Sequence, residues 1–127
     1  MFHMNQNMKV MLAVEPADLR KSFNGLYAIA SNELGEKPED GALFVFSNRT
    51  RNRIKILCFD GTGCWVSVKR LEQGTFSWPK GLGKIKLTLQ PEALALLLDG
   101  VDRRGPRSSA STQNPRSIVL ESSHART

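Results

Sequence analysis

The sequence predicts an α+β domain: a mainly antiparallel β-sheet meander, packed with one long helix from the N-terminal half and one short C-terminal helix. Three observations predict it. Residues 42–79 read as four short strands in a meander, first an apolar run and then alternating segments, between strong turn signals. Leu19, Phe23, Leu26, Tyr27, Ala30 and Leu34 recur at spacings of three and four, which makes one helical face. Pro91, Leu94, Leu97, Leu98 and Gly100 mark a second, shorter helix with a start and a stop.

In chain order, residues 8–14 (MKVMLAV) read as a strand. Pro16 suits a first helical turn, and Asp18 adds negative charge where the helix dipole favours it. Arg20 and Lys21 then fall in that first turn, the unfavourable end for cations. Gly35 is the expected C-cap, with Pro38 just beyond. Gly25 sits inside the helix, where it costs up to ~1 kcal/mol against Ala, and suggests close approach to a sheet or another backbone.

Residues 42–46 read as a buried strand, 47–52 as a hairpin loop, 53–59 as an alternating strand and Asp60-Gly61-Thr62-Gly63 as a tight turn. Residues 64–70 alternate again, and 75–78 read as a short strand ending at Pro79. Two registers are open for the central hairpin. One sets Cys58 opposite Cys64 and collects Ile54, Ile56, Cys58, Cys64, Val66 and Val68 on one face. The other, with a loop one residue shorter, pairs Phe59 with Cys64. Ile85, Leu87 and Leu89 alternate with Lys84, Lys86 and Thr88, a half-exposed strand with two lysines outward. Residues 1–102 thus form one domain, and 103–127 a Ser/Arg/Pro-rich tail expected to be disordered, whose triplet Ile118-Val119-Leu120 is too small to build structure alone.

Composition narrows the function. The chain has 127 residues, 40% hydrophobic, with no apolar run near the ~20 residues that span a bilayer. A cytoplasmic protein without membrane attachment is expected. The histidines are His3 and His124, outside the expected folded body, which removes most Ser-His and Cys-His catalytic arrangements. Cys58 and Cys64 lack the further ligands of a zinc site and read as small strand hydrophobes. Asp18, Asp60, Glu72 and Asp99 each have a local structural duty rather than a metal-binding one. No catalytic residue, metal or cofactor is expected.

The net charge is +6, and residues 103–127 hold five Arg against Glu121 alone. Within the body the cations cluster. Arg49, Arg51, Arg53, Lys55, Lys69 and Arg70 face only Asp60 between residues 47 and 70. Cations beside an aromatic residue on a sheet suit backbone phosphates and a stacked base, so these six with Trp65 form the expected nucleic-acid-binding set. The competing reading is a solvated outer face whose charges protect strand edges.

Long motifs carry a family resemblance. PxDLRKSFNGL (16–26), GALFVFSNR (41–49), RIKILCFDGTG (53–63), KRLEQGTFSWP (69–79) and LALLLDGVD (94–102) resemble the accessory TnpB (Orf2-like) protein of the insertion-sequence family numbered sixty-six. Leu19 and Ser22 depart from that pattern, as do Cys58 and Cys64. The resemblance implies a non-enzymatic bacterial accessory factor for DNA transposition, acting beside a separate transposase that carries the strand-transfer chemistry. Implied partners are DNA at the insertion-sequence ends, the transposase and another accessory protein, and sheet edges leave room for a homo-oligomer. The alternative to DNA contact is a protein-interaction module that assembles with the transposase through Leu57, Phe59 and Trp65.

Overall fold

The computed structural model describes residues 8–100 and the backbone of 118–123. The elements are β1 (Val10–Ala13), α1 (Phe23–Ala28, continued by a π turn Ile29–Glu33), a 3-10 turn (Pro38–Asp40), β2 (Leu43–Ser47), β3 (Arg53–Phe59), β4 (Cys64–Arg70), β5 (Lys86–Leu89), α2 (Pro91–Asp99) and β6 (Ile118–Ser123). The strand order is β5-β1-β2-β3-β4, extended by β6 on the β4 side. Every pairing is antiparallel except β1 with β2. The segment containing α1 supplies the crossover that a parallel pair needs.

The mainly antiparallel sheet and its two helices are those the sequence predicts, but the helices cover opposite faces. Met11, Phe44, Phe46, Leu57, Cys64 and Val66 pack against Leu19, Phe23, Leu26, Ala30 and Leu34 on the α1 face. Val10, Leu12, Leu43, Val45, Ile54, Ile56 and Cys58 pack with Phe76, Leu94 and Leu97 on the α2 face. With both sides covered, β2 is buried along its whole length, which explains its unbroken apolar run.

The β3–β4 register follows the shorter loop: Phe59 stands opposite Cys64, Leu57 opposite Val66 and Cys58 opposite Trp65. The register that gathers all the apolar residues on one face assumes a single core. Two covered faces remove that constraint, and the Asp60 amide, donating to the Gly63 carbonyl at 3.1 Å, closes the turn at four residues. The two cysteines consequently lie in different clusters on opposite faces.

Several local expectations change. The α-helix starts at Phe23 rather than near Pro16. Residues 18–21 form a turn, with the Lys21 amide bonded to the Asp18 carbonyl and Arg20 paired to the Asp18 carboxylate at 3.0 Å. Arg20 and Lys21 therefore precede the helix instead of opposing its dipole. The space over Gly25 is filled by the Lys21 side chain, whose Cβ lies 2.6 Å from where a Gly25 Cβ would sit, not by a sheet or another backbone. Residues 75–78 form an isolated bridge and a loop rather than a strand, held by the Phe76 amide on the Arg51 carbonyl at 2.7 Å. Lys86 is half-buried and bonds Glu36 and the Leu34 carbonyl instead of pointing outward. Within the tail, Ile118–Ser123 pairs antiparallel with β4, so the short apolar triplet is added to an existing sheet edge. The other residues of the tail lie outside those described.

Candidate nucleic-acid interface

The sheet topology gathers cations at one end. β1 and β2 run parallel and finish there, β3 begins there, β4 finishes there and β5 begins there. The β2–β3 hairpin therefore brings Arg49, Arg51 and Arg53 to the same end as Arg70 at the close of β4 and Lys80 and Lys84 ahead of β5. The hairpin is a closed polar network. Asn48 Oδ1 accepts from the amides of Asn52 and Arg53, both at 3.1 Å, and Asn48 Nδ2 donates to Asn52 Oδ1 at 2.7 Å.

The expected binding residues divide by what they touch. Lys55 is buried in the α1 face, and its ammonium donates to the Lys21 carbonyl at 3.0 Å. Lys69 emerges on the α2 face and donates to the Leu98 carbonyl at 2.6 Å. Burial pushes its pKa down, with Asp99 opposing. Arg51 takes a left-handed backbone, φ 59°, and donates to the Val14 carbonyl at 3.1 Å, with its guanidinium carbon 4.9 Å from the Trp78 ring centroid. Burial lowers its pKa, and its Nη1 is buried without a hydrogen-bond partner. Trp65 packs against the α2-face cluster, and its indole N–H donates to Asp60 at 2.7 Å. That bond, with those from Thr62 and Gly63, holds the Asp60 carboxyl down at about 2.

Two of the sheet's lysines supply what the helices lack. Neither α1 nor α2 carries a basic residue in its last turn. Lys69 reaches the last turn of α2 from the sheet, and Lys86 reaches the Leu34 carbonyl where the π turn ends. Each meets orphan carbonyls at the negative end of a helix dipole. This use of β-strand lysines has no signature in the local sequence, because the partners lie 29 and 52 residues away.

Arg49, Arg53 and Arg70 are different. Arg49 and Arg70 are exposed and Arg53 is half-exposed. Arg53 stands directly across from Arg70 on the α1 face. Among the described residues, none of the three joins an ion pair. Like charges directly opposite one another across strands repel, so the pair concentrates positive charge at this end of the α1 face.

A second surface changes as well. Leu57 is fully buried, and Phe59 lies within an aromatic group with Phe23 and Tyr27, at centroid distances of 5.7 and 6.0 Å. With Trp65 bonded to Asp60, these three do not form the exposed contact face expected of them. The large exposed hydrophobic residues are Leu82, Ile85 and Leu96. Among the described residues, no cluster of three or more His, Cys, Asp or Glu is placed to hold a metal, and no helix is long and apolar enough to cross a membrane.

The family model described as IS66 Orf2 like protein matches residues 8–108, which include every element from β1 to α2. The chain belongs to the IS66 Orf2-like family. Two relatives from Sinorhizobium fredii, both named as uncharacterized proteins, are similar over most of their length. The protein y4hO is 36% identical over 104 residues, covering 82% of this chain and 90% of its own. The protein y4jC is 34% identical over 98 residues, covering 77% and 83%. No solved structure matches. Membership in the IS66 Orf2-like family gives the chain an accessory role in an insertion sequence. The strand β6 lies beyond the residues that the family model matches.

Proposed function

We propose that this chain is a non-enzymatic factor that binds the DNA ends of its insertion sequence through the cationic end of the sheet. The observation that carries the reading is the cross-strand pair of Arg53 and Arg70, unneutralised among the described residues and flanked by Arg49 on the adjoining hairpin. These three contact phosphates. Lys55, Lys69, Arg51 and Trp65 hold the surface in shape through the bonds described above. A DNA backbone laid over Arg53 and Arg70 relieves their repulsion and releases counterions, so binding weakens steeply with salt.

The test is fluorescence anisotropy with a duplex carrying an insertion-sequence end, titrated at several salt concentrations. Arg53→Ala with Arg70→Ala should weaken binding to all sequences and lower the salt slope by roughly two, about one for each phosphate left unneutralised. Lys55→Met, which removes an inward-facing ammonium, should leave the slope unchanged. Absence of duplex binding by the wild-type chain at low salt would overturn the reading. Transposase capture by the arginine double variant in nuclease-treated lysate, alongside unaltered DNA binding, would replace it with a protein-interaction role.

A further inference from the structure

The segment KGLGK (80–84) has a form that the fold does not explain. The Lys84 amide bonds the Gly81 carbonyl at 3.0 Å, closing a turn whose central residues are Leu82 and Gly83. Both have positive φ, 51° and 91°. A turn of that kind favours Gly, Asn or Asp at its first central position, because a side chain there is strained. This chain instead places a leucine there, and the leucine is 91% exposed. Glycine or asparagine would suit the backbone and the solvent better, and no contact among the described residues accounts for the isobutyl group.

The turn is firmly seated. A Cβ on Gly81 would lie 2.5 Å from Val14 Cγ1 and 2.8 Å from the Lys84 carbonyl oxygen, so Gly81 fits against the end of β1 with no room for a side chain. The Val14 amide bonds the Ile85 carbonyl at 3.1 Å just behind the turn. Leu82 therefore projects from a fixed base rather than a loose loop. Lys80 and Lys84 flank it, both exposed, with no carboxylate within the turn. The turn also lies at the same end of the sheet as Arg49, Arg53 and Arg70.

We propose that Leu82 is a wedge that enters a base step of duplex DNA from the minor groove, with Lys80 and Lys84 holding the phosphates on either side. The inference rests on the DNA reading above and adds a deformation to it. An apolar side chain inserted between bases unstacks one step and kinks the duplex, and the bend brings more phosphates onto the protein surface. Pyrimidine–purine steps, which unstack most readily, are the expected site of entry. Lys80 and Lys84, with Arg51 beside them, outnumber Glu15 of the adjoining cleft, and that excess of positive charge suits a polyanion.

The experiment uses the full chain and a duplex labelled at both ends for energy transfer, with affinity followed by anisotropy. Leu82→Gly removes the wedge and also relieves the positive φ, so folding is not at risk. The wild-type chain should bend the duplex. Leu82→Gly should lose most of the bend, bind about tenfold more weakly and lose the part of the salt slope that the bend adds, while the part set by the arginines remains. Leu82→Phe should retain the bend, and a central TA step should favour the wild type but not Leu82→Gly. Equal bending and affinity for Leu82→Gly and wild type would overturn the wedge while leaving the arginine–phosphate bonds standing. So would a variant that bends DNA normally but no longer associates with the transposase, which would assign Leu82 to a protein pocket. Failure of the wild-type chain to bind any duplex would remove both proposals.

Discussion

The Lys69 ammonium lies 2.6 Å from the carbonyl oxygen of Leu98, tying β4 to the last turn of α2. Burial lowers its pKa, so the charge is held there against a desolvation cost. Lys69→Met keeps the apolar stem and removes the bond. It should destabilise the domain by about 1–2 kcal/mol, the scale of a hydrogen bond from a charged donor. Chemical denaturation measures that loss. DNA affinity at saturating folded protein should not change, in contrast to Arg70→Ala.

Arg51 combines a left-handed backbone with a guanidinium fixed by Val14 and Trp78. Truncation should cost stability by two separable routes. Arg51→Ala removes the guanidinium and keeps the strain, whereas Arg51→Gly removes the guanidinium and relieves the strain. The glycine variant should be the more stable of the two by about 1 kcal/mol. Urea midpoints for the pair give the difference directly, and equal midpoints would show that φ at this position carries no cost.

Cys58 and Cys64 occupy opposite faces of the sheet, and both are buried. Burial raises both thiols, that of Cys64 to about 12. Thiolate is the reactive form, so an aromatic disulfide reagent at neutral pH should label the native chain only as fast as it opens. Mild oxidants should form no intramolecular bridge. Rapid labelling of both thiols in the folded chain would contradict this placement.

Asp60 accepts from the Trp65 indole, from the Thr62 and Gly63 amides and from the Thr62 hydroxyl. Its pKa is about 2 when folded, against an ordinary value of 3.8. A depressed carboxyl contributes stability that is fully present above the unfolded value and is lost as pH falls through the folded one. The urea midpoint of the wild-type chain should therefore fall between roughly pH 4 and pH 2 more steeply than that of Asp60→Asn. Trp65 fluorescence should shift in the same interval.

The strands and the hydrophobic positions of both helices could be read from the chain because their periods are local. The face Leu19, Phe23, Leu26, Ala30 and Leu34 is buried as its spacing implies. The hairpin register was not readable, because the rule that places apolar residues on one side assumes one core, whereas α1 and α2 supply two. The cationic cluster was readable as charge but not as surface. Lys55 and Arg51 sit close in sequence to Arg53, yet they turn to the Lys21 and Val14 carbonyls. The pairing of Arg53 with Arg70 follows from the register and was hidden with it. Leu82 gave no sequence signal, since Leu between two glycines reads as a flexible link until its φ and exposure are known.

The interior position of β1 sets an order on biosynthesis. Its neighbours are β2, about 30 residues later, and β5, whose Leu89 pairs with Val10. A ribosome extends a chain at about 5–20 residues per second, so β1 waits several seconds with one edge open before β5 emerges. Lys86 arrives in the same stretch and joins Glu36 and the Leu34 carbonyl beneath the π turn. The nascent chain thus holds an apolar strand with one unpaired edge until β5 is made, and a message broken before that point releases a protein primed to aggregate.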